Sequence, residues 1–467
     1  MAFALGVAGD VLLRSVPWGI NIFLWIGFLM LAVITTARWT TPGFCFREFW
    51  FIVPALLFAG GFAGRDSAVL KTLNAAGLFI SLALVIGRQS DSILNASLAK
   101  YAREAVDTLG NSLTGFPHLL CRDVEWPRVS DPRFRRQAVA IGTGLIVSIP
   151  LLLGFGGLFM AADAVYKKIL SDLIRLDLPE LFTHLSVAAG CAWLAGGYLR
   201  ASLFNEYRPP IIPTVNRRVP LLIETNVVLI VLNALFLSFV VVQFQYLFGG
   251  AAHVEITPGV TYAEYARHGF FELVTVAAMA FPLLLLADWL LGAETDKRLF
   301  RILSATLVLL LFIIMASALQ RMHLYQDQYG WTELRFYTTA FMIWLGVLFF
   351  WFLATVLRGS RGRFAFGMLM TGFVMMLGLN FLNPDDFIVK SNVRRASEGR
   401  HFDATYAASL SADAIPALTL GLSKLEKADQ EMIRQELLKK SSLMGINDWR
   451  NWNYSRAVAF EILSHDF

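Results

Sequence analysis

Charged residues are scarce in this sequence. Of its 467 residues, 16% are Asp, Glu, Lys or Arg, whereas 56% are hydrophobic. A soluble domain carries about a quarter charged residues, so this chain has too little polar surface to cover a water-soluble globule of its size. Most of the apolar surface must therefore face lipid. The 38 Phe and 12 Trp residues agree with this, because aromatic rings concentrate at membrane interfaces.

Cysteine and enzyme motifs are also scarce. Cys45, Cys121 and Cys191 are far apart and show no CxxC spacing, which argues against a disulfide framework or a cysteine zinc site. The sequence contains no Walker A motif, no GxSxG, no GxGxxG after a strand and no kinase signature. We therefore expect no cofactor and no metal, and we favour a non-enzymatic protein. The net charge of +5 comes from loop arginines rather than a basic face, so no nucleic-acid partner is expected.

Long apolar runs are what the sequence does contain. A transmembrane helix needs roughly 20 mostly apolar residues. The predicted fold class is all-α: a polytopic transmembrane helical bundle of about ten helices, with a small C-terminal soluble helical domain. The predicted segments are 17–37, 49–64, 68–87, 137–166, 181–204, 219–248, 265–292, 299–324, 334–357 and 364–382. Residues 2–13 are predicted as a further half-helix or interfacial segment, and the polar interval 88–136 contains a predicted surface helix.

The distribution of positive charge predicts the orientation. Lys and Arg concentrate in the connections after the first, third, fifth, seventh and ninth segments, and the loop 249–260 has neither. Cytoplasmic loops carry the excess of positive residues, so these connections are predicted to be cytoplasmic. With ten crossings, both termini then lie outside, and the C-terminus is extracytoplasmic.

The sequence changes character at Asn383. Charges become frequent and apolar residues fall into helical spacing, with Ser411 as a predicted N-cap. The predicted division is a transmembrane domain at 1–382 and a soluble helical domain at 383–467. A domain of roughly 80 residues is marginal on its own, so we expect it to dock on the membrane part or on a partner.

The densest polar cluster opens the seventh predicted helix. It comprises Tyr262, Glu264, Tyr265, Arg267, His268 and Glu272. On a helix, Glu264 meets Arg267 and His268, and Tyr265 shares a face with His268 and Glu272. Glu272 is predicted to lie about two turns inside the membrane, where a carboxylate must pair, protonate or face a wet cavity. One hypothesis is a proton or cation site or a substrate anchor, and the alternative is an internal salt bridge that orients the helix.

A second polar cluster forms the connection between the eighth and ninth predicted helices, on the same predicted side. Gly330 permits a tight turn there, and Thr332 is a predicted helix cap. The hypothesis is that both clusters line one polar cavity facing the extracytoplasmic side. Its predicted residues are Glu264, Tyr265, Arg267, His268, Glu272, Arg321, Tyr325, Glu333 and Arg335. The alternative for the second cluster is an ordered helical hairpin with interfacial tyrosines. A metal site of His268, Glu272 and His323 has no supporting motif.

Further polar residues lie on the predicted spans. They are Asn74, His184, Glu224, Asn226, Asn233, Gln243, Gln245, Asp288 and Asn380. Glu224 and Asp288 lie near predicted cytoplasmic ends, where interfacial ionisation explains them as well as function does. His184 is expected to be a hydrogen-bonded core residue rather than a ligand.

Several segments together resemble a known family. They are Thr261–Leu273, Arg321–Tyr337, Asn383-Pro384-Asp385, Asp403–Leu418, Asp448–Arg456 and Arg65-Asp66-Ser67. This combination, which covers most of the chain, resembles the bacterial membrane family catalogued as domain of unknown function 4173, related to family 4153. The resemblance implies a multi-pass protein of the bacterial inner membrane, and it implies no activity, ligand or catalytic residue.

Three functional hypotheses remain open at this point. The leading one is a non-enzymatic membrane protein that senses or transports through the predicted cavity. The second is a membrane-anchored assembly or regulatory protein that acts on a membrane or extracytoplasmic protein partner through its C-terminal helices. The third, an intramembrane transferase acting on lipid-linked substrates, has no identifiable nucleophile or base. All three place the chain in the lipid bilayer.

Overall fold

The chain folds into helices throughout the residues that the structure describes. The computed structural model describes residues 1–40, 50–87, 96–119, 178–203, 222–248, 270–291, 297–443 and 448–466, with short stretches at 144, 148, 155, 158–160 and 162–163. No strand occurs within these ranges, which confirms the predicted all-α class.

The helices are numbered here in chain order. The first eleven are α1 Ala2–Leu13, α2 Ile20–Thr40, α3 Ile52–Gly64, α4 Ala68–Gly87, α5 Leu98–His118, α6 Leu178–Leu203, α7 Leu222–Phe248, α8 Phe270–Leu290, α9 Arg298–Tyr329, α10 Glu333–Thr355 and α11 Arg361–Leu382. The C-terminal helices are α12 Pro384–Ser397, α13 Ala404–Ser409, α14 Ile415–Gly421, α15 Lys427–Leu443 and α16 Tyr454–Asp466. Short 3-10 turns lie at Ala412–Ala414, Leu422–Lys424 and Trp449–Asn451.

Seven of the described helices are long and apolar enough to cross a membrane. They are α2, α4, α7, α8, α9, α10 and α11. Each coincides with one of the ten predicted segments, so the chain is a multi-pass membrane protein. The second predicted segment forms α3, a shorter apolar helix of 13 residues. The fifth forms α6, which is not among the seven, and the fourth lies almost entirely outside the described residues.

The chain divides into two compact units, and the first consists of residues 1–14, 28–42 and 107–205. Within it, α1 packs closely on α6, because a Cβ atom on Gly6 would lie only 2.6 Å from both Ala188 O and Ala192 Cβ. The His184 Nδ1 atom lies 2.6 Å from Asp10 Oδ2. His184 is therefore hydrogen-bonded, as expected, but its side chain is 43% exposed and so does not belong to the core.

The second unit consists of residues 15–27, 43–106 and 206–467. Its membrane helices α7 to α11 share one apolar core, in which Phe300, Phe349 and Phe352 are fully buried. A polar contact joins α4 to α11 at Asn74 and Asn380, whose side-chain amides exchange hydrogen bonds of 2.9 and 2.8 Å. Such reciprocal bonds satisfy both amides away from water and fix how the two helices meet.

A second apolar core lies at one end of these helices. It combines Ile388, Leu418 and Ile433 of the C-terminal helices with Leu70 of α4 and Phe336 of α10. The C-terminal helices thus share a core with the ends of membrane helices. This contact agrees with the expectation that they dock on the membrane part.

Local signals in the sequence account for the turn between α9 and α10. Gly330 takes a φ of 78°, a backbone conformation that favours glycine. Thr332 is the N-cap of α10, and its side chain accepts a hydrogen bond from the Arg335 backbone N–H. Both predictions for this turn are confirmed. The predicted cap Ser411 is also confirmed, since its hydroxyl accepts from the Asp413 N–H at 3.2 Å.

Candidate functional site

The first predicted cluster is only partly visible. Glu264, Tyr265, Arg267 and His268 lie outside the described residues. Glu272 lies in the first described turn of α8, with its side chain exposed. The predicted cavity as a whole therefore stays a prediction. The residues of its second cluster lie within the described part of the chain.

Arg321 lies between two membrane helices. Its Nη2 donates to Gln243 Oε1 of α7 at 2.8 Å, and the Ser317 hydroxyl donates to the same oxygen at 3.0 Å. Gln243 is 7% exposed, so this is a buried polar contact within the helix pair α7–α9. The structure thus pairs Arg321 with a residue of α7.

Tyr325 and Arg335 are brought together. The Arg335 guanidinium carbon lies 4.0 Å from the centroid of the Tyr325 ring, a cation–π contact across the turn. Arg335 Nη1 also donates to the backbone oxygens of Tyr329 at 3.2 Å and Gly330 at 2.5 Å. Arg335 therefore ties the end of α9 to the start of α10.

The C-terminal helices bind this same turn. The Asn392 side chain of α12 binds Trp331 on both sides: its Oδ1 accepts from Trp331 N at 2.8 Å, and its Nδ2 donates to Trp331 O at 2.9 Å. Arg395 Nη2 donates to the Asp327 carbonyl at 2.8 Å. The Tyr406 hydroxyl accepts from the Glu333 backbone N–H at 2.7 Å. The second predicted cluster is thus in direct contact with the C-terminal helices.

A second contact between the C-terminal helices and the membrane helices centres on Asp413, which is 2% exposed. Asp413 Oδ2 accepts from the backbone N–H groups of Asp66 at 2.7 Å and Ser67 at 2.8 Å. These donors immediately precede α4, where a helix N-terminus favours a carboxylate. Arg65 Nη1 lies 3.6 Å from Asp413 Oδ1, and the Ser455 hydroxyl hydrogen-bonds to that same oxygen. A short loop before α4 is therefore held by one buried carboxylate.

Asp385 adds a second buried carboxylate beside the first. The Ser411 hydroxyl donates to Asp385 Oδ2 and lies 3.1 Å from Asp413 Oδ2, so one hydroxyl links the two acids. Asp385 is 0% exposed, and its Oδ1 has no hydrogen-bond partner among the described residues. The pKa of Asp385 is raised to about 6, chiefly by burial; the hydrogen bond from the Ser411 hydroxyl lowers it, and the negative charges of Glu333 and Asp413 add to the rise. This site, called here the carboxylate joint, comprises Arg65–Ser67, Asp385, Ser411, Asp413 and Ser455.

The joint can hold a proton. A buried carboxyl with an unpartnered oxygen keeps its proton to a higher pH than an exposed one, because ionisation in a low-dielectric site is costly. We find no group of His, Cys, Asp and Glu suited to a metal ion within the described ranges. Burial of Asp385 and its unpartnered Oδ1 favour proton binding at this carboxyl.

Neither Asp385 nor Asp413 is among the residues that the sequence predicts for a functional site. The four stretches that meet at the joint are Arg65-Asp66-Ser67, Asn383-Pro384-Asp385, Asp403–Leu418 and Asp448–Arg456, all of which carry the family resemblance. One local signal was present, since Ser411 was identified as a cap. Acidic residues inside otherwise apolar helical stretches, such as Asp413, would have been a second signal.

The comparison with known families agrees with the resemblance at the broader level. The family model described as Domain of unknown function (DUF4153) matches residues 52–420, which is most of the chain and includes the residues of both contacts described above except Ser455. The match is to the related family 4153 rather than to family 4173. No curated protein matches the chain, and no solved structure matches it.

Proposed function

This chain belongs to the family described as domain of unknown function 4153, and we propose that it is a non-enzymatic sensing protein of the bacterial inner membrane. In this proposal the sensing surface is the predicted extracytoplasmic polar cavity, of which Arg321, Tyr325, Glu333 and Arg335 form the part next to the α9–α10 turn. Residues 383–467 form the output domain.

The observation that carries the proposal is the pair of hydrogen bonds between Asn392 and Trp331. A side-chain amide that binds both the N–H and the carbonyl of one residue fixes that residue's peptide groups relative to α12. Any rearrangement of the turn must therefore break these bonds or move α12. Sensing requires such an element, whose position differs between two states that a ligand can bias.

The proposal implies two partners, a polar ligand and a protein. The polar ligand binds the charged groups of the turn on the predicted outer side. The C-terminal helices offer their remaining surface to a membrane or extracytoplasmic protein, which retains the assembly or regulatory hypothesis as the output of the sensor. Leu420 supports this view, because it is 78% exposed on α14, away from the shared core.

Coupling between the turn and the C-terminal helices is tested by a double-mutant cycle. Arg335→Ala removes the bonds to the Tyr329 and Gly330 carbonyls, and Asn392→Ala releases α12. We would measure amide hydrogen exchange across α12 to α14 in the full-length protein in nanodiscs. Arg335→Ala is expected to speed exchange there severalfold, and this effect should shrink in the Asn392→Ala background.

The control is Ser397→Ala on the same helix, since the Ser397 hydroxyl donates to Val393 O of its own helix and to no other described residue. It should leave the effect of Arg335→Ala unchanged. Equal exchange in the wild type and Arg335→Ala would remove the basis for sensing through this turn.

Transport through the same cavity is the second candidate. The observation that favours it is the buried contact of Arg321 with Gln243 and Ser317, which places polar groups between two spans. Uptake of a radiolabelled solute into proteoliposomes tests it, and a saturable signal that Arg321→Gln abolishes would favour transport over sensing alone.

A further inference from the structure

Three buried oxygen atoms lie in the pair of spans α7 and α9 without a hydrogen-bond partner among the described residues. They are Asn226 Oδ1, Asn233 Oδ1 and Ser304 Oγ. Asn226 is 7% exposed and Ser304 is 0% exposed. Each belongs to a helix that is long and apolar enough to cross a membrane. These oxygens are separate from the carboxylate joint.

A hydrogen bond between α7 and α9 places Asn233 at the interface of these helices. Asn233 Nδ2 donates to Leu229 O within α7 at 2.7 Å and to Leu303 O of α9 at 3.0 Å. Ser304 follows Leu303 directly. Asn226 precedes Asn233 by seven residues, or two turns, and therefore shares its face of α7.

The same interface continues to Arg321. Gln243 is ten residues beyond Asn233 in α7, and it binds Ser317 and Arg321 of α9. Asn233 contacts Leu303, and Gln243, further along α7, contacts Ser317, further along α9. The two helices therefore run parallel. From Asn226 to Gln243 the α7 backbone rises about 25 Å, which is most of a hydrocarbon core of about 30 Å. We call this series of groups the polar track.

Association between the helices accounts for the Asn233 amide nitrogen but not for the unmatched oxygens. The Asn233 amide nitrogen is a donor that fixes α7 to α9, as polar side chains do between membrane helices. Its Oδ1 and the Asn226 Oδ1 are acceptors that remain unmatched within the described part of the chain. An unmet acceptor in an apolar interior costs on the order of a lost hydrogen bond, and in lipid the surroundings supply no donor.

We propose that the polar track contains separate hydration sites at Asn226, Asn233 and Ser304, each of which binds a water-sized molecule that donates hydrogen bonds. The two Asn oxygens are acceptors, and the Ser304 hydroxyl can both accept and donate, so the occupant must be able to donate hydrogen bonds. The three oxygens are buried, so the occupant is small. This inference does not depend on sensing through the turn.

The test measures hydration through thiol reactivity. Methanethiosulfonates react with the thiolate, which forms only where water reaches the sulfur. In a background with Cys45, Cys121 and Cys191 replaced by Ala, we would compare Asn233→Cys and Ser304→Cys in the full-length protein in nanodiscs. The probe is 2-hydroxyethyl methanethiosulfonate, which is small and neutral, so that the Arg321 charge does not repel it.

The matched controls are Val231→Cys on α7 and Leu309→Cys on α9, both of which replace side chains that are 61% exposed on spans and face lipid. Modification of Asn233→Cys and Ser304→Cys is expected to be at least tenfold faster than that of the controls. Rates equal to those of the controls would overturn the proposal.

A second measurement applies if the cysteine variants fold poorly. Ser304→Ala removes one unmatched oxygen. If the track is hydrated, the substitution removes a group bonded to water, and the Tm of the protein should stay level or fall. A clear rise in Tm would show that the oxygen was unsatisfied in a dry interface, which contradicts the proposal. The control is Ser238→Ala, whose hydroxyl is bonded within α7.

Discussion

Replacing Asp385 by Asn should remove a pH dependence from the docking of the C-terminal helices. Burial raises the pKa of Asp385 from 3.8 to about 6. An acid whose pKa is raised in the folded state keeps its proton to a higher pH there than in the unfolded state. Docking is therefore favoured at low pH, and this advantage disappears as the pH rises through the window from about 4 to about 6.

The magnitude follows from the size of that shift. Two pKa units correspond to about 3 kcal/mol over the whole window, because each unit is worth about 1.4 kcal/mol. Between pH 5 and pH 7.5 the free energy of docking should weaken by about 1.4 kcal/mol. The equilibrium constant for opening then rises roughly tenfold. Wild-type docking should be weaker at the higher pH by that amount.

Amide hydrogen exchange in α12, corrected for the intrinsic pH dependence of exchange, measures this opening free energy in the full-length protein. Asp385→Asn should show no such difference, because the Asn side-chain oxygen can still accept from Ser411 and carries no titrating proton. Glu426→Gln, at an exposed position, is the control and should keep the wild-type difference. If Asp385→Asn retains the wild-type pH dependence, the assignment of the proton to this carboxyl is refuted.

Two further predictions concern stability. Asp413→Ala leaves the backbone N–H groups of Asp66 and Ser67 without their acceptor and removes the carboxylate beside Arg65, whose guanidinium still donates to the Asn380 and Phe381 carbonyls, so it should destabilise docking by about 2–4 kcal/mol, read out as faster exchange in α12 and α14. Gly61→Ala should destabilise the α3–α4 contact by about 1–3 kcal/mol, because a Cβ there would lie 2.3 Å from Asn74 Nδ2. Gly64→Ala on the same helix has open space within 4 Å and should leave the Tm in detergent unchanged, and equal effects of the two glycine variants would contradict the packing argument.

Local sequence signals accounted for much of the fold. Span length and apolarity alone identified the seven helices that are confirmed as long and apolar enough to cross a membrane. Gly330 and Thr332 defined the turn between α9 and α10 because a positive φ and an N-cap are properties of single residues. The predicted cavity stays a prediction, since Glu264 to His268 lie outside the described residues.

The amino-acid sequence by itself determined that this protein belongs in a membrane, because too few charged residues are present to cover its apolar surface. Only the tertiary structure decided where its buried charges meet. Asp66 and Asp413 are 347 residues apart in the chain, yet the Asp413 carboxylate accepts the Asp66 N–H. Helical periodicity reports which face of a segment is apolar, but not which distant segment it contacts. The carboxylate joint depends on such long-range contacts.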